Sequence, residues 1–156
     1  MYNRDGDSMR IIIDADACPI VKDIVSLGEK HQLPVLICHD FAHEIQSDYA
    51  KVVLCDTGYQ STDQYIVNEV TTNDVVITQD YGVAAVCLIK GSYIVHPLGF
   101  CFENQTIDEM LAMRHEHTKM RLQKVRVKGP KKRTKENDEK LLETIEKIIL
   151  NCKDHF

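Results

Sequence analysis

Short apolar runs alternate along the chain with stretches whose apolar residues recur at helical spacing. The runs are rich in β-branched residues, as in Arg10–Ile13, and are typical of buried strands. One intervening stretch places Val21, Ile24 and Gly28 on one face of a helix. The alternation predicts an α/β domain with a mainly parallel, doubly wound sheet of five strands and flanking helices. The predicted strands are 10–13, 34–38, 51–55, 74–78 and 93–95, and the predicted helices are 19–31, 62–70 and 83–90.

The two ends of the chain differ from this pattern. Residues 1–8 lack apolar periodicity and are predicted to be a flexible extension, so that a single domain spans 9–150. A helix is expected to begin near Thr106, because the sequence Thr-Ile-Asp-Glu at that point has capping-box spacing. An apolar stripe predicts a last helix over 137–150, followed by a tail at 151–156.

The composition is that of an ordinary globular protein, since 44% of the 156 residues are apolar and 28% are charged. The longest uncharged apolar stretch, 81–89, is about half of the roughly 20 residues that a membrane-spanning helix needs. No secretory signal is visible. The six cysteines form no Cys-x-x-Cys pair and mostly lie in apolar runs, which predicts free thiols and a cytoplasmic protein.

The net charge of −5 hides an uneven distribution. Residues 1–118 hold 18 acidic and 7 basic residues, whereas residues 119–135 hold nine basic residues and no acidic one. This basic segment indicates a nucleic-acid partner, and the alternative is a solvated loop. The residues predicted to contact the nucleic-acid backbone are Lys128, Lys131, Lys132 and Arg133.

Two carboxylates follow the first predicted strand. Asp14 and Asp16 are expected at its carboxyl end, where open parallel sheets bind ligands. Two such charges cannot both be buried and ionised without a counter-charge, which a divalent cation such as Mg²⁺ or Mn²⁺ supplies. The alternative is that Asp16 caps the next helix and Asp14 is simply solvated.

Further polar residues fall at other strand ends. Thr78 and Asp80 follow the fourth predicted strand, and Asp63 begins the helix after the third. Each has a simpler explanation, such as an Asx turn at Asp80 or a favourable helix dipole at Asp63. Four acids at one sheet edge nevertheless suit phosphodiester cleavage by a metal-activated water.

Several short motifs follow one another in a fixed order along the chain. They are Asp14-Ala-Asp16-Ala-Cys18-Pro19 with Lys22, Gly58, Thr62-Asp63-x-x-Ile66, Asp74-Val-Val-Ile-Thr78-x-Asp80, Pro97-x-Gly99, Met113-Arg114 and Gly129-Pro130. With these motifs the chain resembles, over about residues 9–150, the YaiI/YqxD family, which is uncharacterised and similar to PIN-like and NYN-like domains. Two places differ from the family pattern: Gln64-Tyr65 stands where an Asn is expected, and His96-Pro97-Leu98-Gly99 replaces a more polar turn.

PIN-like and NYN-like domains are metal-dependent ribonucleases, so the resemblance implies an RNA nuclease that uses Mg²⁺ or Mn²⁺. In this hypothesis Thr78 orients a water or a phosphate, and Lys22, one turn into its helix, reaches a phosphate oxygen. The acids that the resemblance places at the metal are Asp14, Asp16, Asp63 and Asp80.

Other functions remain open at this point. Asp14-x-Asp16 after an apolar strand also resembles the strand-end nucleophile and acid of a haloacid-dehalogenase-like phosphohydrolase. The acid pair expected of that class is absent after the fifth predicted strand. A non-catalytic nucleic-acid- or protein-binding module would have the same fold without binding metal. Cys18, beside a helix N-terminus, is a weaker candidate as a nucleophile.

Overall fold

The described residues include five strands and four helices with continuous bounds. The computed structural model describes residues 8–40, 45–55, 61–105, 107–109, 112–113, 116 and 132–153. The strands are β1 (Ile11–Asp14), β2 (Val35–His39), β3 (Lys51–Leu54), β4 (Val75–Ile77) and β5 (Tyr93–Val95). The helices are α1 (Val21–Lys30), α2 (Thr62–Glu69), α3 (Tyr81–Ile89) and α4 (Lys135–Lys153).

The strands form one sheet in the order β3-β2-β1-β4-β5, and every neighbouring pair is parallel. The chain builds outward from β1 through β2 to β3, and then crosses back to add β4 and β5 on the other side. The order of the strands therefore reverses between β1 and β4, and their carboxyl ends flank the crevice where open sheets bind ligands. The predicted α/β class with a parallel, doubly wound sheet is confirmed.

The sheet is covered on both faces, which explains why its central strands are apolar without alternation. Ile11 and Ile13 face α1 and α4, whereas Ile12 faces α2 and α3. The approach of α1 is close at Gly28, where a Cβ atom would lie 2.4 Å from a methyl of Val35. A larger residue at this position would push α1 away from the sheet.

The observed boundaries differ from the predicted ones mainly at the ends of the chain. Helix α4 begins before the predicted 137 and continues to Lys153, so its last turn includes half of the predicted tail at 151–156. Residues 104–105, 107–109, 112–113 and 116 are helical, whereas Thr106 and the extension at 1–7 lie outside the described residues. No described helix is long and apolar enough to cross a membrane.

A buried ion pair joins the amino ends of the two central strands. Arg10 and Asp74 precede β1 and β4, both are fully buried, and Nε of Arg10 donates to Oδ2 of Asp74 at 3.0 Å. The same guanidinium donates through Nη1 to the carboxylate of Glu69 at 2.7 Å and through Nη2 to its backbone carbonyl at 2.5 Å. Arg10 therefore ties β1, β4 and the end of α2 together.

Replacing Arg10 with Met should destabilise the protein strongly, since the change leaves the carboxylate of Asp74 buried without its cation. Loss of one partner of a buried pair costs roughly 3–5 kcal/mol of unfolding free energy. Urea unfolding followed by circular dichroism measures this loss. Lys30→Met is the control. The Lys30–Glu146 pair is exposed, so its loss should leave the urea midpoint of unfolding almost unchanged. Equal midpoints for the two variants would contradict the role given to Arg10.

Candidate functional site

Asp14, the last residue of β1, is a buried carboxylate beside the crevice between β1 and β4. It is 7% exposed, and the hydroxyl of Thr78 donates to its Oδ2 at 3.2 Å. Burial raises the pKa of Asp14 to about 6, the hydrogen bond from Thr78 opposes the rise, and the nearby charges of Asp63 and Asp16 add to it. The groups acting on this carboxyl are thus a hydroxyl, a backbone hydrogen bond and other acids.

Asp16 is held at the same edge by the end of β2. Its carboxylate accepts from the backbone N–H of Asp40, at 3.0 Å for Oδ2 and 3.3 Å for Oδ1, and from the hydroxyl of Thr62 at 3.4 Å. Helix α1 has no side-chain cap, so Asp16 does not cap it. Desolvation raises the pKa of Asp16, and the neighbouring carboxyl of Asp40 raises it further.

Asp63, in the first turn of α2, and Asp80, the residue before α3, are close enough for their carboxyl groups to interact. Asp80 caps α3, where its Oδ1 accepts from the N–H groups of Gly82 at 2.8 Å and Val83 at 3.2 Å. Desolvation raises the pKa of Asp63, and the charge and hydrogen bonding of Asp80, together with the charge of Asp40, raise it further. The four predicted acids thus belong to one electrostatic network, which Asp40 joins as a fifth member.

Asp40 and Thr62 are the residues that sequence reasoning missed. Asp40 directly follows β2, whose carboxyl end lies beside that of β1. The signal was therefore the same one that identified Asp14, an acid at a strand end. Thr62 was noted only as part of a motif, yet its buried hydroxyl helps to hold Asp16.

The acidic edge, defined as Asp14, Asp16, Asp40, Asp63 and Asp80, offers only oxygen donors. Hard cations such as Mg²⁺ prefer these ligands, so the donor set fits a divalent cation. Among the described residues, no three His, Cys, Asp or Glu side chains stand close enough together to hold one ion between them. In the described geometry, an ion bound at this edge would have at most two carboxylates as direct ligands, with waters as the others.

Of the two predicted phosphate-contacting residues, Thr78 is buried at the acidic edge and Lys22 is exposed on α1. Thr78 is fully buried, and its hydroxyl donates to Asp14 and accepts from the N–H of Asp80 at 3.1 Å. Thr78 thus helps to position both Asp14 and Asp80. Direct contact of its hydroxyl with a water or a phosphate stays a prediction. Lys22 is exposed on α1, where it lines a groove with residues 45–49, and among the described residues it makes no ion pair with the acidic edge.

The predicted nucleic-acid contacts are described only in part. Lys132 is exposed, whereas Lys128 and Lys131 lie outside the described residues. Arg133 donates to Asp138 at 2.6 Å and to the carbonyl of Pro97 at 2.5 Å, so it ties the start of α4 to the turn after β5. Contact of Arg133 with a nucleic-acid backbone stays a prediction.

The cysteines do not form a second reactive centre. All six are free thiols, as predicted, and four of them are buried. Burial raises the pKa of the Cys18 thiol, and the charges of Asp14 and Asp138 add to the rise while that of Arg133 opposes it. A nucleophilic cysteine needs the opposite shift, which argues against Cys18 in that role.

Comparison with known proteins identifies similar chains. Residues 12–151 match the family described as "Uncharacterized BCR, YaiI/YqxD family". The chain is 42% identical over 145 residues to a UPF0178 protein of Clostridium kluyveri, covering 93% of this chain and 95% of the relative. It is 43% identical to a UPF0178 protein of Clostridium perfringens, covering 93% and 97%, and 39% identical to one of Clostridium tetani, covering 93% and 99%. No solved structure matches.

Replacing Asp14 with Asn should stabilise the metal-free protein at neutral pH. The folded state keeps the proton of Asp14 up to about pH 6, whereas the unfolded chain releases it near pH 4. Stability therefore falls as the pH rises through this interval, because the folded state binds more protons there. Asn still accepts the hydrogen bond from Thr78, so the variant should gain roughly 2–3 kcal/mol at pH 7.5 and nothing near pH 4.

Urea unfolding at pH 4, 5, 6 and 7.5 in the presence of a chelator measures this difference. Asp108→Asn, at an exposed acid outside the acidic edge, is the matched control. A gain that is the same at every pH would show that burial of the charge at Asp14 is not its cause.

Proposed function

This chain belongs to the YaiI/YqxD family, whose description assigns no activity, and we propose that it is a metal-dependent nuclease that cleaves RNA. The observation that carries the proposal is the buried carboxylate of Asp14 at the crevice between β1 and β4. It has a hydroxyl partner and acidic neighbours, and within the described part of the chain no cationic side chain is among the main influences on its pKa. A carboxylate in these surroundings is well suited to a divalent cation, which removes the electrostatic cost of ionising it.

The residues at the edge suit different tasks. Asp14 and Asp80 would hold the ion directly, and Asp16 and Asp63 would bind it through water. Thr78 fixes Asp14, while the N–H of Asp40 and the hydroxyl of Thr62 fix Asp16. The bound ion supplies a water of lowered pKa and a positive charge beside the attacked phosphate.

Charge favours a nucleic acid as the substrate, and the resemblance to PIN-like and NYN-like ribonucleases favours RNA. The acidic edge would repel a polyanion unless a cation is bound, and the basic segment at 119–135 supplies a separate, sequence-independent attraction for the backbone. Within the described part of this segment, Lys132 and Lys135 are exposed and available for such a contact.

Removal of the Asp14 carboxylate should weaken metal binding and nearly abolish cleavage. Calorimetric titration with Mn²⁺ should detect binding to the wild type, and Asp14→Asn should weaken it at least about tenfold, since a charged ligand is lost. Cleavage of a labelled single-stranded RNA should require Mg²⁺ or Mn²⁺ and fall by about a thousandfold or more in the variant. Asp108→Asn should behave as the wild type in both assays.

The same experiments separate the alternatives. RNA binding without measurable metal affinity in the wild type would favour a non-catalytic module. Metal-dependent binding of BeF₃⁻ at Asp14, together with hydrolysis of phosphate monoesters, would favour a haloacid-dehalogenase-like phosphohydrolase. Either result would overturn the nuclease proposal.

The basic segment should determine the salt dependence of RNA binding. Replacing both Lys131 and Lys132 with Ser removes two phosphate contacts, so the slope of log affinity against log salt should become shallower by about 1.4 for a single strand. Fluorescence anisotropy at several salt concentrations measures it. Lys147→Ser, at an exposed lysine of α4, is the control, and an unchanged slope in the double variant would exclude these lysines from the contact surface.

A further inference from the structure

An open groove runs from the acidic edge between α2 and α3. Its volume is about 720 Å³, which is within the range of small-molecule sites. We infer that this groove binds a nucleobase of the RNA, next to the phosphate that is cleaved; its place in the reaction rests on the proposed function. Its lining residues are Asp63, Gln64, Val67, Asn68, Asp80, Gly82 and Val83.

The polar part of the groove is a pair of amides. Gln64 and Asn68 are exposed and lie four residues apart, so both project from the same side of α2. Neither side chain makes a hydrogen bond within the described part of the chain. Each amide offers an acceptor oxygen and a donating NH₂ group, which together match the mixed donors and acceptors along the edge of a base.

The apolar part of the groove consists of two valines, one on each helix. Val67 of α2 is half-buried, and Val83 of α3 is buried among the side chains of the core. They offer an apolar surface to the flat face of a ring, and Gly82 adds no side chain that would narrow the space between the helices. Among the described residues no aromatic side chain lines the groove, so there apolar contact replaces the stacking on aromatic side chains that is common in RNA-binding proteins.

The lining favours a base over other small ligands. The described lining includes no lysine, arginine or histidine, so it offers no cation that would hold a phosphate. An ammonium ligand would use Asp63 and Asp80 but leave both amides and both valines without a role. A base uses the amides and the valines, and the two acids at the end of the groove place its phosphate beside the acidic edge.

The test uses uncharged nucleosides without metal, so that it does not depend on cleavage or on metal binding. NMR titration of the full-length protein with adenosine, guanosine, cytidine and uridine should shift the side-chain amide signals of Gln64 and Asn68, and ribose should not. The double variant Gln64→Ala/Asn68→Ala should bind the preferred nucleoside about tenfold more weakly, since it loses at least two hydrogen bonds. Asn151→Ala, at an exposed amide of α4, should bind it as the wild type does.

Equal shifts with ribose and nucleosides, no detectable shift, or unchanged affinity in the double variant would overturn the inference. If nucleosides bind as expected and metal-dependent cleavage is absent, the groove stands and the proposed nuclease function falls. If RNA is cleaved but the groove does not distinguish nucleosides from ribose, the function stands and the groove inference falls.

Discussion

Strand β1 lies at the centre of the sheet, and the positions of the candidate residues follow from its parallel pairing with β2 and β4. Ile11 is opposite both Val35 and Val75 in this register. Because side chains along a strand alternate between faces, Asp14 lies on the face of Ile12, where α2 packs. A slip of one residue would turn Asp14 toward α1 and away from Thr78. The acidic edge therefore depends on register before it depends on any contact between the acids.

The register between β1 and β4 is stabilised at the amino ends of the strands, opposite the acidic edge. Arg10 and Asp74 are the residues before β1 and β4, so their ion pair aligns the amino ends of two adjacent strands. Glu69 extends the same pair to the last residue of α2. Since Asp63 lies in the first turn of that helix, a contact made far from the acidic edge fixes the direction in which Asp63 approaches it.

The sequence predicted what depends on local pattern and missed what depends on strand order and tertiary contact. Asp14 and Thr78 were identified because short β-branched runs ending in polar residues mark the carboxyl ends of parallel strands. Asp40 was missed because the second strand was predicted to end at 38, and because apolar periodicity does not reveal that β2 neighbours β1. Arg133 was counted with the basic segment, since nothing in its local sequence indicates a hydrogen bond to the carbonyl of Pro97 36 residues earlier.

The contrast between Asp74 and Asp14 bears on function because the two carboxylates are alike in burial and opposite in pairing. The fold gives Asp74 a guanidinium and two donors from Thr71, so its charge is compensated within the chain. Asp14 receives one side-chain hydroxyl and is surrounded by acids that raise its pKa. A buried ionised carboxylate without a cation lowers stability, and folds retain such costs mainly at functional sites. A divalent cation bound at the edge would offset this cost. The lack of a cationic partner for Asp14 among the described residues therefore supports a metal there more directly than the number of acids does.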